Sequence, residues 1–284
     1  MPSTVKMREL LETGVHFGHR TTRWNPKMDE FIFTARNGIH IINLQITLRN
    51  MNAYYDEIAN VISRGGTVLF VGTKRQAQET IQQEAERCGM PYVTQRWLGG
   101  TLTNWKTISS SIDTLKKLER DQQAGKFDRL TKKEALMNER KIQKLRTRLG
   151  GLRNMKKLPA LLVVVDTDRE ATAVKEANIL GIPVLGIVDT NGNPDVVDYI
   201  IPANDDAMRS IRLLVHTFSS AVMEGKNRRG IDEADEAASG GKRGYIDNKI
   251  ADADDGDLLG TSTLENMKKQ NELLLDDDGD ESSE

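Results

Sequence analysis

The sequence is poor in the residues on which much protein chemistry depends. It has one cysteine, Cys88, and four histidines in 284 residues. A single thiol cannot close an internal disulfide, and nothing around Cys88 has metal-ligand spacing, which fits a reducing, cytoplasmic setting. Four histidines leave few general bases. No Ser/His/Asp set, Cys/His pair or glycosidase-like carboxylate pair shows a local signature, so an enzyme is not expected. No apolar run approaches the roughly eighteen residues of a membrane span. The start of the chain carries Glu9, Glu12, Asp29 and Glu30 rather than an apolar leader, so neither membrane association nor secretion is expected.

What the chain has is charge, unevenly placed. The formal net charge is only -2. Residues 106–157 hold 16 Lys/Arg against 6 Asp/Glu, whereas residues 226–284 hold 8 against 17. The positive field is therefore local, and position matters more than the total.

Hydrophobic periodicity divides the chain accordingly. Residues 4–12 read as a short helix capped by Ser3 or Thr4 and ended by Gly14. Two β-prone runs around Asn37-Gly38 read as a hairpin, and apolar residues spaced by three and four over 44–63 read as an amphipathic helix. Thr67-Val-Leu-Phe-Val-Gly72, Leu161-Leu-Val-Val-Val165 and Pro183-Val-Leu-Gly-Ile-Val188 are apolar strands. Helices follow at 76–87 and 170–180, then Tyr199-Ile-Ile201 precedes a last helix over 205–224. Such alternation predicts an α/β fold, a parallel sheet with helices on both faces, in a body made of 1–104 and 158–225.

Between the first of these strand–helix units and the second, 105–157 reads as two basic helices broken near Ala124-Gly125, the second capped by Thr131. Ile108, Ile112, Leu115 and Leu118 form one narrow stripe, and Leu136, Ile142, Leu145 and Leu149 a sparser one, the pattern of an inserted α-helical coiled-coil hairpin. Such stripes leave most basic side chains facing solvent or an acidic partner. Beyond Gly225 the acidic composition predicts a disordered tail over 226–284, with 262–275 as a helix that could form on a partner.

Several residues invite chemistry, each with a plainer alternative. Asp166 and Asp189 follow strands at the carboxyl edge, and Asp205-Asp206 opens the last helix. His16 and His19 could join Asp189 and Asp205 in a mixed N/O metal site, or Asp189 could brace its loop while Asp205 or Asp206 caps a helix. Gly72-Thr-Lys74 lacks phosphate-loop spacing. Lys74 and Arg75 could still hold an RNA phosphate, or simply begin a helix. Arg23-Trp-Asn-Pro-Lys27 and Arg96-Trp-Leu-Gly-Gly100 suit stacking and phosphate contact, or their indoles plug the core. In the insert, Lys116, Lys117, Arg120, Lys132, Lys133, Arg140, Lys141, Lys144, Arg146 and Arg148 are candidates for phosphate contact. A nucleotide switch at the sheet edge and an adaptor pairing the insert with an acidic helix are the rival readings.

The segments His16-Phe-Gly-His19, Arg23-Trp-Asn-Pro-Lys-Met28, Arg36-Asn-Gly-Ile-His40, Val68-Leu-Phe-Val-Gly-Thr-Lys-Arg-Gln-Ala77, Gln95-Arg-Trp-Leu-Gly-Gly-Thr-Leu-Thr-Asn104, Leu180-Gly-Ile-Pro-Val184, Val188-Asp-Thr-Asn191 and Ile201-Pro-Ala-Asn-Asp-Asp-Ala-Met-Arg-Ser-Ile211 occur in family order. Together they resemble the bacterial small-subunit ribosomal protein two family over residues 4–224. The resemblance implies a flavodoxin-like sheet with a protruding coiled coil, docked on small-subunit ribosomal RNA between head and body. It implies neighbouring ribosomal proteins as partners, protein one among them. It adds Arg36 to the RNA-contacting set and implies no required cofactor, with a structural zinc or magnesium ion at His19, Asp189 and Asp205. Ala203 stands where the family pattern has Gly, and the acidic tail lies outside the resemblance.

Overall fold

The computed structural model describes residues 5–240, with side chains through residue 231. The candidate caps Ser3 and Thr4 and the expected helix over 262–275 lie outside the described residues.

Helix α1 (Met7–Thr13) follows Lys6, whose backbone N–H donates to Glu9 Oε2, so it starts later than the 4–12 reading placed it. It ends at Gly14, where φ is 75°. Strand β1 (Phe17–Arg20) is an addition, since four residues with mixed exposure show no alternation. It joins the expected hairpin, β2 (Ile32–Arg36) and β3 (Ile39–Ile42), in an antiparallel sheet of order β1-β3-β2. Asn37 and Gly38 turn that hairpin with φ of 53° and 75°, the left-handed pair a two-residue turn requires. Helix α2 (Leu44–Ser63) matches its expected span, and Asn43 caps it by accepting from the Gln45 N–H.

The main sheet consists of β4 (Val68–Val71), β5 (Tyr92–Val93), β6 (Leu161–Val165), β7 (Val184–Val188) and β8 (Tyr199–Pro202). All pairs are parallel, in the order β5-β4-β6-β7-β8. Counted from β4, this is the 2-1-3-4-5 arrangement of flavodoxin-like sheets, whose switch point lies between β4 and β6. Strand β5 is only two residues long, too short to show as an apolar run.

Alternation along the strands sends side chains to two cores. Val68, Phe70, Leu161, Val163, Val165, Leu185 and Ile187 share one with α2, α3 (Arg75–Cys88) and α7 (Met208–Gly240). Leu69, Val71, Leu162, Val164, Val184 and Val188 face the other, covered by α6 (Ala171–Ile179) and by Ile108, Ile112 and Leu149 of the insert. Ala203 is fully buried and has a negative φ, so its methyl needs no backbone strain.

The insert is α4 (Trp105–Gln123) and α5 (Lys132–Leu149), with Thr131 and Glu134 forming a capping box. Its expected seam is only partly realised. Ile108, Ile112, Leu115, Ile142 and Leu149 are buried, but Leu136 is 46% exposed. Ile108, Ile112 and Leu149 thus fasten the base of the insert to the second core, while Leu115 and Ile142 are buried outside both cores, where α4 packs on α5.

Helix α7 corrects the expected boundary at 224. The sequence reading took Gly225 as the end of order, but it lies inside the helix, where a Cβ would come 2.5 Å from the Ala59 carbonyl oxygen of α2. Glycine there permits close helix packing rather than a stop. Lys226 Nζ then donates to the Cys88 carbonyl at 2.6 Å, and Arg228 pairs with Glu224, so the residues just past 225 pack on the body.

Candidate functional site

The N-terminal sheet is stitched to the carboxyl edge of the main sheet. The His19 backbone N–H donates to Thr190 Oγ1 at 2.9 Å, the Asn25 N–H to the Thr190 carbonyl at 2.8 Å, and the Asn204 N–H to the Val15 carbonyl at 3.0 Å. The approach is close enough that a Cβ on Gly18 would sit 2.6 Å from Thr190 Cγ2. The glycine of His16-Phe-Gly-His19 is thus a spacing requirement, and it delivers His19 onto Asp189.

There the structure gathers the three expected metal-site residues, His19, Asp189 and Asp205, and adds Asp206; one ligand atom from each lies within 4.8 Å of the others. His19 Nδ1 is 3.0 Å from Asp189 Oδ2, and Nε2 is 3.4 Å from Asp206 Oδ2. The Nδ1 contact is an ion pair without an aligned hydrogen bond. Asp189 also accepts from the Thr190 N–H, so it braces its own loop as expected. The helix-capping role expected of Asp205 or Asp206 falls instead to Asn204, whose Oδ1 accepts from the N–H groups of Asp206 and Ala207.

Lys74 enters the same cluster from β4. Its ammonium lies 2.7 Å from Asp205 Oδ1, 2.5 Å from Asp206 Oδ1 and 3.3 Å from Asp166 Oδ2, with 11% of the side chain exposed. The phosphate role expected of Lys74 is displaced by these carboxylates. Burial alone would lower its pKa, but the surrounding carboxylates raise it. Burial raises the Asp205 carboxyl to about 7, helped by Asp189 and Asp166 and opposed by Lys74. The Asp189 carboxylate raises His19 to about 9 against its burial, so the imidazole is charged at neutral pH. Two cations thus face four acidic groups.

The switch-point crevice is closed as well. Glu170 Oε1 accepts from both the N–H and the hydroxyl of Thr73, and Arg169 Nε donates to Thr73 Oγ1 at 3.0 Å. Where α/β sheets usually receive a ligand, this one has internal pairs.

The Arg96-Trp-Leu-Gly-Gly100 segment is organised by Glu176 of α6, which sequence reasoning missed. Its carboxylate accepts from Trp97 Nε1 at 2.9 Å and from the backbone N–H groups of Gly100, Leu102 and Thr103 at 2.8, 2.9 and 3.1 Å. Burial works to raise Glu176, but these bonds outweigh it and hold the carboxyl below the ordinary glutamate range. Trp97 therefore plugs the core, whereas Trp24 is 37% exposed and packs on His40. Helical position alone gave no sign that Glu176 points at a loop far away in sequence.

Arg23, Arg36, Arg75 and Arg96 are exposed, and Lys27 is exposed but paired with Asp195. In the insert Lys116 is half-buried and Arg146 is bonded to Glu119. Lys117, Arg120, Lys132, Lys133, Arg140, Lys141, Lys144 and Arg148 are exposed; Lys117 and Arg120 lie near enough to Asp121 to help lower its carboxyl, and the other six form no ion pair among the described residues. A separate surface is apolar: Leu11, Phe17 and Phe33 are exposed, Phe33 by 72%, beside a groove lined by Met7, Ile41 and Leu44.

Residues 10–225 match the family model for ribosomal protein S2. The chain belongs to the ribosomal protein S2 family. Among S2 relatives, a small ribosomal subunit protein uS2 of Desulfovibrio desulfuricans is 53% identical over 235 residues, 83% of this chain and 91% of its own length. That of Roseiflexus sp. is 54% identical over 236 residues, covering 83% and 90%. The Mycolicibacterium gilvum protein is 50% identical over 261 residues, covering 92% and 93%. S2 membership makes the chain a structural ribosomal protein rather than an enzyme. Among the described residues no helix is long and apolar enough to cross a membrane.

Proposed function

We propose that the chain is a structural constituent of the small ribosomal subunit in the cytoplasm, holding small-subunit ribosomal RNA through its insert and the exposed arginines of its body. The observation that carries this reading is the unbalanced positive charge of α4 and α5, set on a body whose sheet edge is closed by internal pairs. Unpaired Lys/Arg side chains release counterions when they meet phosphates, and each contact adds about 0.7 to 0.9 to the log-log salt slope. Reversing Lys132, Lys133, Lys141 and Lys144 to Glu is expected to reduce incorporation into small subunits and flatten that slope. Normal occupancy of purified particles would overturn the reading. The position between head and body rests on the family resemblance.

The apolar groove around Phe33 suits a neighbouring protein better than RNA, because exposed contiguous apolar surface marks protein contacts. We assign it to small-subunit protein one, the partner the resemblance names. Phe33→Asp is expected to deplete protein one from particles while leaving ribosomal RNA binding intact, and undiminished protein one would remove the assignment.

A divalent cation is a second reading of the cluster at the sheet edge. His19, Asp189, Asp205 and Asp206 fit as donors once the ion displaces the His19 proton, the imidazole favouring zinc over magnesium, and the four carboxylates around the site supply the charge to hold it. Such an ion would fasten the N-terminal sheet to β7 and β8, in competition with Lys74. Zinc at 100 times its Kd is expected to stabilise the chain by about 2.7 kcal/mol, seen as a rise in Tm. An unchanged Tm would leave Lys74 as the resident cation.

A further inference from the structure

Where α4 and the end of α5 meet β5 and α3, a cleft of about 410 Å³ opens, lined by Glu119, Arg146, Arg148, Arg153, Gln82 and Gln95 among others. Its shape is preset by backbone: a Cβ on Gly151 would come 2.2 Å from the Tyr92 carbonyl oxygen, so only glycine lets the exit of α5 lie against β5. Its chemistry is mixed. Three guanidinium groups line it, and Arg148 has no carboxylate partner among the described residues. Also lining it is Glu119, whose side chain is 7% exposed. Glu119 Oε1 accepts from Arg146 Nε and Nη2 at 3.0 and 2.8 Å. Oε2 lies 3.0 Å from Arg153 Nη1, yet it accepts no aligned hydrogen bond. That oxygen is enclosed, so a ligand donor reaches it only where the half-exposed Arg153 side chain gives way, and a well-aligned bond would then replace a poorly aligned one.

We infer that this cleft takes one unpaired nucleotide of the RNA, its base turned inward with an N–H group donating to Glu119 Oε2 and its phosphate held by Arg148. The inference rests on the RNA-binding reading above and names a recognition site within it. A simple anion would meet the guanidinium groups but bring no donor for the Glu119 oxygen. A simple cation would meet three guanidinium groups. A nucleotide carries both an N–H donor and a negative charge, and unstacked bases are read on such edges and packed against guanidinium planes.

The test uses small subunits reconstituted with the full chain, their RNA probed with reagents that modify unpaired Watson–Crick edges. Gln82→Trp, at an exposed position on α3, fills the cleft without disturbing the core, and Arg148→Glu removes the phosphate contact. Both are expected to abolish protection at one unpaired nucleotide while the rest of the footprint remains. Gln83→Trp, at the neighbouring exposed position on α3 outside the cleft lining, is expected to leave that nucleotide protected. A Gln82→Trp footprint identical to that of the parent chain overturns the inference and leaves the RNA-binding reading standing. A parent chain that gives no footprint at all overturns both.

Discussion

Lys74 and Lys133 carry the same charge on the same side chain, yet the molecule uses them in opposite ways. Lys74 is enclosed by Asp166, Asp205 and Asp206 at the carboxyl edge of the sheet, whereas Lys133 stands exposed on α5 with no carboxylate partner among the described residues. A charge whose field is already balanced holds a fold together, and one left unbalanced is available to a partner. The contrast is sharpest in a pair of substitutions. Lys74→Met leaves the carboxylates unbalanced in a largely buried site and is expected to cost about 3–5 kcal/mol in urea unfolding. Lys133→Ala is expected to cost less than about 0.5 kcal/mol, as for an exposed residue with no structural role. Equal costs would erase the distinction between the two regions.

Glu176 extends the same contrast to acids. Glu176→Gln removes the charge that gathers the N–H groups of Trp97, Gly100, Leu102 and Thr103, and about 2–3 kcal/mol of stability is expected to go with it. The pH dependence has a definite sign. The folded carboxyl sits below its unfolded value, so its contribution is fully present above the ordinary glutamate range and is lost as pH falls through the folded value. Unfolding free energy measured on the acid side is therefore expected to decline less steeply in Glu176→Gln than in the parent chain. Parallel acid limbs would show that Glu176 is not the group responsible.

Both contrasts bear on how much of the molecule was legible in the sequence. Strands β4, β6, β7 and β8 and helix α2 could be read because burial on two faces or one stripe leaves a local pattern. Strands β1 and β5 could not, being short elements recruited by neighbours distant in the chain. Residue type and strand-end position offer His16, His19, Asp189 and Asp205 as candidates, and the family resemblance narrows them to His19, Asp189 and Asp205. Their actual company was not readable, because Lys74 and Asp206 join through tertiary contacts that spacing does not encode. Gly225 misled for a related reason: a glycine that stops a helix and one that lets two helices touch are identical in sequence.

Within the basic set, the same distinction predicts unequal RNA contacts. Lys141→Ala and Lys144→Ala are each expected to lower the salt slope of RNA binding by about 0.7 to 0.9 if each meets one phosphate. Lys27→Ala is expected to change it less, because Asp195 already balances that ammonium. Filter binding over a salt series separates them, and an equal loss at Lys27 would mean its surface pair opens freely for RNA.

The smallest effect is expected from the acidic end of the chain. Residues 241–284 carry 13 Asp/Glu and 5 Lys/Arg, so competition with RNA for the exposed side chains of α4 and α5 is the effect to test. Deleting 241–284 is expected to raise affinity for random RNA modestly at low salt, and the gain should vanish as the Debye length shortens to about 8 Å near physiological ionic strength and below it at higher salt. Deletion from 226 is a different experiment, since it also removes the Lys226 bond to the Cys88 carbonyl and the Arg228 pair with Glu224. A truncation there should lose stability as well as gain affinity, whereas one at 241 should change affinity alone. Unchanged affinity for random RNA at low salt after the shorter deletion would mean the terminal acids do not compete for the insert.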